Sequence, residues 1–163
     1  MLIVKNLTKH YEGGVQALKD VSFEVPDGQF LAVIGLSGSG KSTLLRCINR
    51  LVEPTAGQIL WNNIDITAAP DDELRYIRRK IGMVFQHFNL VSRSSVMTNV
   101  LAGRLGYVNP FMSLINRFSK SDIDKAMHEL NRVGIADKAN NRADELSGGK
   151  QQRVGIARAM VQD

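Results

Sequence analysis

Nine consecutive residues combine glycines, a lysine and hydroxyl side chains in a spacing that suits phosphate binding. They occupy positions 35–43, read GLSGSGKST, and fit the pattern G-x-x-x-x-G-K-[ST]. Glycines let the backbone turn so that several amide N–H groups point at one phosphate chain, a geometry that a Cβ would obstruct. The sequence therefore predicts a nucleotide site built from Gly35, Leu36, Ser37, Gly38, Ser39, Gly40, Lys41, Ser42 and Thr43.

Two side chains at the end of this loop have distinct expected roles. Lys41 would reach the β- and γ-phosphates of a nucleotide. The Ser42 hydroxyl would bind Mg²⁺, because magnesium on a nucleotide keeps most of its waters and takes few protein oxygens. We therefore predict a nucleoside triphosphate and Mg²⁺ as ligands.

Two further residues are candidates for contact with the nucleotide. Gln86 follows an apolar run, residues 81–85, and the carboxyl end of a buried strand is where an open α/β sheet places ligand-contacting groups. Gln86 would then touch Mg²⁺ or the attacking water, the alternative being that it caps a loop. Tyr11 ends an early strand pattern and either stacks on an adenine base or is an ordinary half-buried strand tyrosine.

The elements that must hold the glycine loop are visible on both sides of it. Residues 30–34 form an apolar run typical of a buried strand, and residues 42–51 repeat apolar positions at helical spacing. Residues 81–85 are a second buried-strand candidate. Alternating apolar residues over 2–25, and a hairpin over 58–66, predict an antiparallel portion.

Three helices are predicted outside the loop region. Acidic residues open a helix over 70–80, and apolar spacing indicates another over Ser95–Arg104. A third covers 121–133, with Ser121 as the candidate N-cap and one apolar face formed by Ile123, Ala126, Met127, Leu130 and Val133.

Composition restricts the class of protein. The 163 residues, 44% hydrophobic, suit one globular domain, and the single cysteine, Cys47, excludes an internal disulfide framework and favours packing. A formal charge of +5 indicates either anionic ligands or a solvated basic surface. The basic cluster within 75–80 lacks interleaved aromatics, so we expect no nucleic-acid partner. The apolar segment 107–118 either packs on its own domain or is exposed to a partner.

A second anion site is predicted near the end of the chain. Residues 146–153 read LSGGKQQR and precede a run with helical periodicity. Ser147 is well placed as an N-cap, while Gly148 and Gly149 leave backbone amides open at the positive end of a helix.

Together, the GLSGSGKST loop, Gln86 and the LSGGKQQR octet resemble the ATP-binding cassette (ABC) ATPases. The resemblance implies a head-to-tail dimer with two ATP molecules, each held by the glycine loop of one copy and by the LSGG stretch of the other. It implies that Tyr11 stacks on adenine, that Gln86 contacts Mg²⁺ and water, and that Ser147, Gly148 and Gly149 contact the γ-phosphate in trans. Lys150 stands where the family most often has Gln, which puts the trans contacts at that position in doubt.

Residues 85–107, with the apolar segment that follows, further resemble the ATPase subunits of phosphonate importers. That resemblance implies membrane-spanning permease subunits as partners, a phosphonate-binding protein as an indirect partner, and a peripheral position on the cytoplasmic face of the inner membrane. The fold it implies is α/β, a P-loop NTPase of ABC type with a partly parallel core sheet, an antiparallel β portion and an inserted helical subdomain.

Within a single nucleotide-binding domain over 1–163, we expect the β portion and nucleotide core at 1–86, the helical subdomain at 87–145, and the signature stretch with its helix at 146–163. The family also has, beyond the signature helix, a strand ending in Asp-Glu that lies beside the glycine-loop strand and supplies the water-activating Glu. Asp163 is the last residue and no Glu follows it. We therefore expect the chain to be the N-terminal part of a longer ATP hydrolase and to be inactive by itself. Three alternative functions are a nucleotide-binding module without turnover, the ATPase of an importer for another solute, and a soluble cassette ATPase.

Overall fold

The computed structural model describes residues 1–108 and 117–162. It divides into two compact units, Met1–Arg78 and Arg79–Asp163. Most of the apolar segment 107–118 lies outside the described residues, as does Asp163. Within the described part of the chain, no helix is long and apolar enough to cross a bilayer.

The first unit is built on a four-stranded antiparallel sheet with the strand order β2-β1-β3-β4. The strands are β1 (Leu2–His10), β2 (Gln16–Val25), β3 (Ala56–Trp61) and β4 (Ile64–Asp65). Val4 of β1 is paired with Ile59 of β3, and both side chains are buried. The antiparallel portion predicted from alternating apolar residues is therefore confirmed.

Turn residues in left-handed backbone conformation determine how these strands reverse. Asn62 and Asn63, with φ of 49° and 66°, join β3 to β4, as a tight hairpin requires. Gly13 and Gly14, with φ of 88° and 82°, lie in the connection between β1 and β2. The first of these turns closes the hairpin that the sequence predicts over 58–66.

Two helices complete the first part of the chain, α1 (Lys41–Ile48) and α2 (Asp71–Lys80). Cys47 on α1 is fully buried, which confirms the packing role predicted for it, and this burial raises the pKa of its thiol. The backbone turns left-handed at Arg50, with φ of 54°, just beyond the end of α1. There the Arg78 guanidinium donates to the carbonyl oxygens of Asn49 and Arg50, at 3.0 and 2.7 Å.

The two strands predicted for a parallel core are not formed in the described residues. Residues 30–34 and 81–85 are not assigned to any strand, and the described sheet is antiparallel throughout. The side chains of Phe30 and Ile34 are each 91% exposed. A buried strand requires neighbouring strands for its N–H and C=O groups, and none of the described strands pairs with either segment.

The second unit is helical. It contains α3 (Val96–Leu101), which continues into a 3₁₀ turn at Ala102–Arg104, then α4 (Lys120–Arg132) and α5 (Gly148–Met160). Short 3₁₀ turns at Ala136–Lys138 and Ala143–Glu145 lie between α4 and α5. Its core joins the three helices named here, through Val96, Val100, Leu101, Ala126, Leu130, Val154 and Ala157.

The start of α4 corrects one prediction. The N-cap is Ser119, not Ser121, because the Ser119 Oγ accepts from the Asp122 amide at 3.1 Å. The predicted apolar face is correct at Ala126 and Leu130, which are fully buried, but Ile123 is 41% exposed.

Beside this cap lies a buried ion pair between Arg104 and Asp122. Arg104 Nε donates to Asp122 Oδ1 at 2.8 Å, with side-chain exposures of only 11% and 12%. The Tyr107 ring covers the guanidinium, with its centroid 4.1 Å from Arg104 Cζ. A hydrogen bond from the Ser119 hydroxyl, together with Arg104, holds the pKa of Asp122 below its usual value, although burial alone would raise it.

In the first unit, the backbone of Gly40, directly before α1, lies against β2. Its φ is +88°, and a Cβ at this position would lie 2.3 Å from the Ala17 carbonyl oxygen. Only glycine provides both this conformation and this close approach. The contact therefore determines where α1 begins relative to the sheet.

We predict that Asp122→Asn lowers the free energy of unfolding by about 3 kcal/mol, because it leaves the buried Arg104 charge unpaired. The folded-state pKa of Asp122 is depressed, so its stabilising contribution is complete above the unfolded value of about 3.9 and is lost as pH falls through the folded value. Urea unfolding between neutral and acidic pH would therefore show less pH dependence in the variant. Asp124→Asn, on an exposed residue of α4, is the control, and an equal loss there would contradict the assignment.

Gly40→Ala and Gly14→Ala separate the effect of backbone conformation from that of the close contact. Both glycines have positive φ, but nothing lies within 4 Å of a Cβ at Gly14. Left-handed alanine costs about 1–2 kcal/mol at either site. Gly40→Ala should lose about 1–3 kcal/mol more through overpacking, measured by thermal unfolding. Equal losses for the two variants would show that the contact with Ala17 is not a constraint.

Candidate functional site

The glycine loop curls around the ammonium group of its own lysine. Lys41 Nζ donates to the carbonyl oxygens of Gly35 at 2.8 Å and Leu36 at 2.6 Å, and lies 3.4 Å from the Ser39 hydroxyl. The loop closes on itself through the Ser39 amide, which donates to the Leu36 carbonyl at 3.3 Å. One positive charge is thus held at the mouth of a backbone loop.

Two glycines in this loop differ in how strongly the backbone requires them: Gly38 by its conformation, and Gly35 only by a contact with a side chain that can move. Gly38 has φ of +82°, in the left-handed region. A Cβ on Gly35 would lie 2.8 Å from the Ser39 Oγ. Gly35 and Gly40, the latter against β2, are the two fixed glycines of the sequence pattern, and Gly38 lies at one of its variable positions.

The electrostatics at the start of α1 favour the binding of an anion. No acidic residue lies in its first turn, and the Gly40 carbonyl accepts from the Leu44 amide at 2.8 Å, so the earlier amides belong to the free N-terminal turn. Ser42 in this turn is exposed. The carbonyls that bind Lys41 are neutral, whereas phosphate oxygens are charged and form stronger hydrogen bonds with an ammonium group. The described residues therefore fit a phosphate chain.

Tyr11 lies close to the start of the same helix. Its hydroxyl is 3.3 Å from the Thr43 Oγ1, and its side chain is partly exposed. The Lys9 ammonium lies 5.2 Å from the ring centroid, over one face of the ring. The fold of the first unit thus brings an aromatic ring and the glycine loop together, although 23 residues lie between Tyr11 and Gly35 in sequence.

Gln86 belongs to the second unit, on the segment that was predicted as a strand. It is exposed, and its side chain makes no hydrogen bond with the described residues. The two residues after His87, Phe88 and Asn89, have positive φ of 58° and 47°. Arg158 of α5 donates to both of their carbonyl oxygens.

Ser147 is the N-cap of α5, as predicted, but its hydroxyl makes no capping hydrogen bond. Nothing lies within 4 Å of a Cβ at Gly148 or Gly149, so the approach to the helix start is open. No acidic residue lies in the first turn. Gln151 Nε2 donates to the Ala143 carbonyl at 3.0 Å and fixes the chain before the helix. A hydroxyl and the free amides of the first turn are thus presented to an anion.

The sequence predicts the glycine loop, Tyr11 and Ser147 as site residues, but it does not predict which side chains contact the site residues and the loops that carry them. Lys9 over the Tyr11 ring and Arg158 on the Gln86 loop had no recognisable signal, because charged residues on strands and helices usually face solvent. Among residues 1–108 and 117–162, no cluster of three or more His, Cys, Asp or Glu side chains is arranged for a metal ion.

Known proteins match this chain closely. A phosphonates import ATP-binding protein PhnC 2 of Synechococcus sp. is 58% identical over 163 residues, covering all of this chain and 61% of the relative. A phosphonates import ATP-binding protein PhnC of Nitratidesulfovibrio vulgaris is 57% identical over 162 residues, covering 99% of this chain and 61% of the relative. The chain therefore spans about three fifths of the length of these relatives.

Solved structures agree with the fold prediction. The dimeric structure of MJ0796, a bacterial ABC transporter cassette, is 38% identical with a TM-score of 0.87, covering 99% of this chain and 70% of the other. A post-hydrolysis MJ0796 dimer bound to ADP and Pi is also 38% identical, with a TM-score of 0.85 and the same coverage. These similarities confirm the predicted P-loop fold of ABC type. Among the described residues, however, the sheet is antiparallel and the two predicted core strands, 30–34 and 81–85, are not formed.

The family model described as ABC transporter matches residues 18–163, which include the glycine loop, Gln86 and the Ser147 helix start. The chain therefore belongs to the ABC transporter family.

Proposed function

We propose that the chain binds ATP with Mg²⁺ at the glycine loop, and the observation that carries this proposal is the Lys41 ammonium held on the Gly35 and Leu36 carbonyls. On binding, Lys41 exchanges these neutral acceptors for β- and γ-phosphate oxygens. The amides of residues 35–43 hold the phosphate chain, Ser42 supplies a hydroxyl for the metal, and Tyr11 stacks on the adenine.

The chemistry is mainly positioning and charge stabilisation. Mg²⁺ neutralises charge on the phosphates when it is bound. Lys41 stabilises negative charge near the γ-phosphate, and the Gln86 amide orients the attacking water and contacts the metal. Ser147, Gly148 and Gly149 offer a hydroxyl and helix N-terminal amides to the γ-phosphate of ATP held by a second copy, in a head-to-tail dimer. The dimeric MJ0796 structures support the formation of a dimer.

We further propose that the protein is the ATP-hydrolysing subunit of an importer, with phosphonates as the transported class. The names of relatives that are 57% and 58% identical support the substrate class. The partners are then a second copy, membrane-spanning permease subunits and, indirectly, a phosphonate-binding protein. The location is peripheral, on the cytoplasmic face of the inner membrane.

A nucleotide-binding module without turnover is a second candidate. The segment before the glycine loop favours it, because residues 30–34 are not part of any described strand and Phe30 and Ile34 are almost fully exposed. In this state the loop binds nucleotide, but none of the described strands pairs with the segment before it to fix further catalytic groups. ATP binding and phosphate release therefore distinguish the two candidates.

We predict that Lys41→Ala weakens ATP binding by about tenfold to a hundredfold, the effect of losing one charged hydrogen-bond partner of the phosphates. Calorimetric titration with Mg·ATP measures this affinity. Lys19→Ala removes the same charge from an exposed position on β2 and should leave it unchanged. Unaltered affinity in Lys41→Ala would overturn the nucleotide site.

Steady release of phosphate from ATP would support the hydrolase if the Lys41→Ala variant abolishes it. Tight binding of ATP without phosphate release would support the nucleotide-binding module. Co-purification with a permease and phosphonate uptake by that complex test the transport role. Uptake of only an unrelated solute would contradict the substrate class.

A further inference from the structure

The segment that carries Gln86 runs along one side of α5, the helix that begins at the LSGG stretch. Near its start, a Cβ on Gly82 would lie 3.0 Å from the Ala159 carbonyl oxygen. Farther along, a Cβ on Gly155 would lie 3.7 Å from Phe88 Cβ and 3.9 Å from Val84 Cγ1. Residues 82–88 therefore contact α5 on both sides of Gln86.

Arg158 makes the polar part of this contact. Its Nη1 donates to the Asn89 carbonyl oxygen at 2.8 Å, and its Nη2 donates to the Phe88 carbonyl oxygen. Burial lowers the pKa of Arg158, and both acceptors in these hydrogen bonds are backbone carbonyls. A planar guanidinium has two parallel donors for two consecutive carbonyls, which an ammonium group lacks.

The backbone at these carbonyls is unusual. Phe88 and Asn89 both have left-handed φ, which is rare for a bulky aromatic residue and persists only where surrounding contacts enforce it. Beyond them, the Val91 amide donates to Asn99 Oδ1 at 2.8 Å and the Val91 carbonyl accepts from Asn99 Nδ2 at 3.1 Å. The loop is thus fixed at Arg158 and again at Asn99, while Gln86 remains exposed.

We propose that Arg158 is a positioning residue for Gln86: by holding the Phe88 and Asn89 carbonyls, it fixes the Gln86 loop to the helix that begins at Ser147. This inference rests on the proposed function, in which Gln86 contacts Mg²⁺ and water. This contact has a consequence for the geometry of the second unit. The Gln86 loop and the LSGG helix start keep one mutual position because both belong to one packed unit.

The experiment measures how strongly Mg²⁺ improves nucleotide binding by the intact protein. The affinity for a fluorescent ATP analogue is determined with saturating Mg²⁺ and with a chelator, and the ratio of the two affinities is the readout. Gln86→Ala and Arg158→Ala should each lower this ratio by about tenfold, the lower end for groups that orient metal ligands. The metal-free affinity should stay close to that of the parent protein.

The double variant tests whether Arg158 acts through Gln86. If it does, Gln86→Ala combined with Arg158→Ala lowers the ratio no further than either single change. Additive losses would overturn the proposal, because they would show that Arg158 acts independently of Gln86. Arg158→Lys keeps the charge but has a single donor nitrogen in place of two, so it should give an intermediate ratio. It replaces Arg158→Ala if that variant does not fold.

Arg78→Ala is the matched control. Arg78 also donates to two consecutive carbonyls, those of Asn49 and Arg50, and Arg50 also has left-handed φ. This variant should lose thermal stability but keep the Mg²⁺ ratio. An equally reduced ratio in Arg78→Ala would overturn the proposal, since any loss of stability would then have the same effect.

Hydrogen exchange provides a readout that needs no nucleotide. In Arg158→Ala the amides of residues 86–89 should exchange faster, while those of α3 remain protected. Unchanged exchange at 86–89 would overturn the positioning role.

Failure of the proposed function is recognisable separately. If Lys41→Ala leaves binding intact under both conditions, the glycine-loop site itself is wrong. If Lys41→Ala weakens binding as predicted and Gln86→Ala lowers the ratio but Arg158→Ala does not, only the positioning role is overturned. If Gln86→Ala leaves the ratio unchanged, the metal contact of Gln86 and the role of Arg158 are both overturned, while ATP binding at the loop stands.

Discussion

The contact of Gly40 with the Ala17 carbonyl is the constraint on which the candidate nucleotide site depends. Because the backbone at Gly40 is left-handed and pressed against β2, α1 begins at a fixed place and in a fixed direction. The Lys41 ammonium, the Ser42 hydroxyl and the first-turn amides are therefore held at one location, the start of α1. Tyr11, the residue after β1, lies at the same location, because its hydroxyl is 3.3 Å from the Thr43 Oγ1 on α1.

In the second unit, helix α5 has two structural roles. The N-terminal turn of α5 is open, with Ser147 unused as a side-chain cap and with glycines at the next two positions. Its middle is buried through Val154 and Ala157, and its later turns hold the Gln86 loop through Arg158. A single helix thus supports the two segments of the second unit for which the sequence predicts contact with the nucleotide or its metal, the Gln86 loop and the LSGG stretch.

The sequence was sufficient wherever neighbouring residues determine the structure. The hairpin over 58–66, the acidic first turn of α2 and the glycine loop before α1 depend on local signals, and all three are found as predicted. The run at 30–34 failed as a strand because strand formation depends on partners elsewhere, and no described strand pairs with it. Ser119 was missed as the cap of α4 because two serines flank the helix start, and only the position of the Asp122 amide distinguishes them.

The basic excess of the sequence was compatible with anionic ligands or with a solvated surface, and the structure adds a third use for it. Several arginines donate to backbone carbonyls, many at helix ends, where these groups lack intrahelical partners: Arg50, Arg78, Arg104, Arg153 and Arg158. Such guanidinium groups stabilise backbone conformation and need no external anion.

Lys41 differs from these arginines in a way that matters for function. Its ammonium is also bound to carbonyls, those of Gly35 and Leu36, but it lies at the surface beside an open helix N-terminus. An ammonium group is a compact charge on a flexible chain and can exchange one set of acceptors for another, whereas a fork-shaped guanidinium loses two aligned hydrogen bonds when it moves. The difference between the two side chains therefore matches the difference between a group that must transfer to a ligand and one that must hold a loop still.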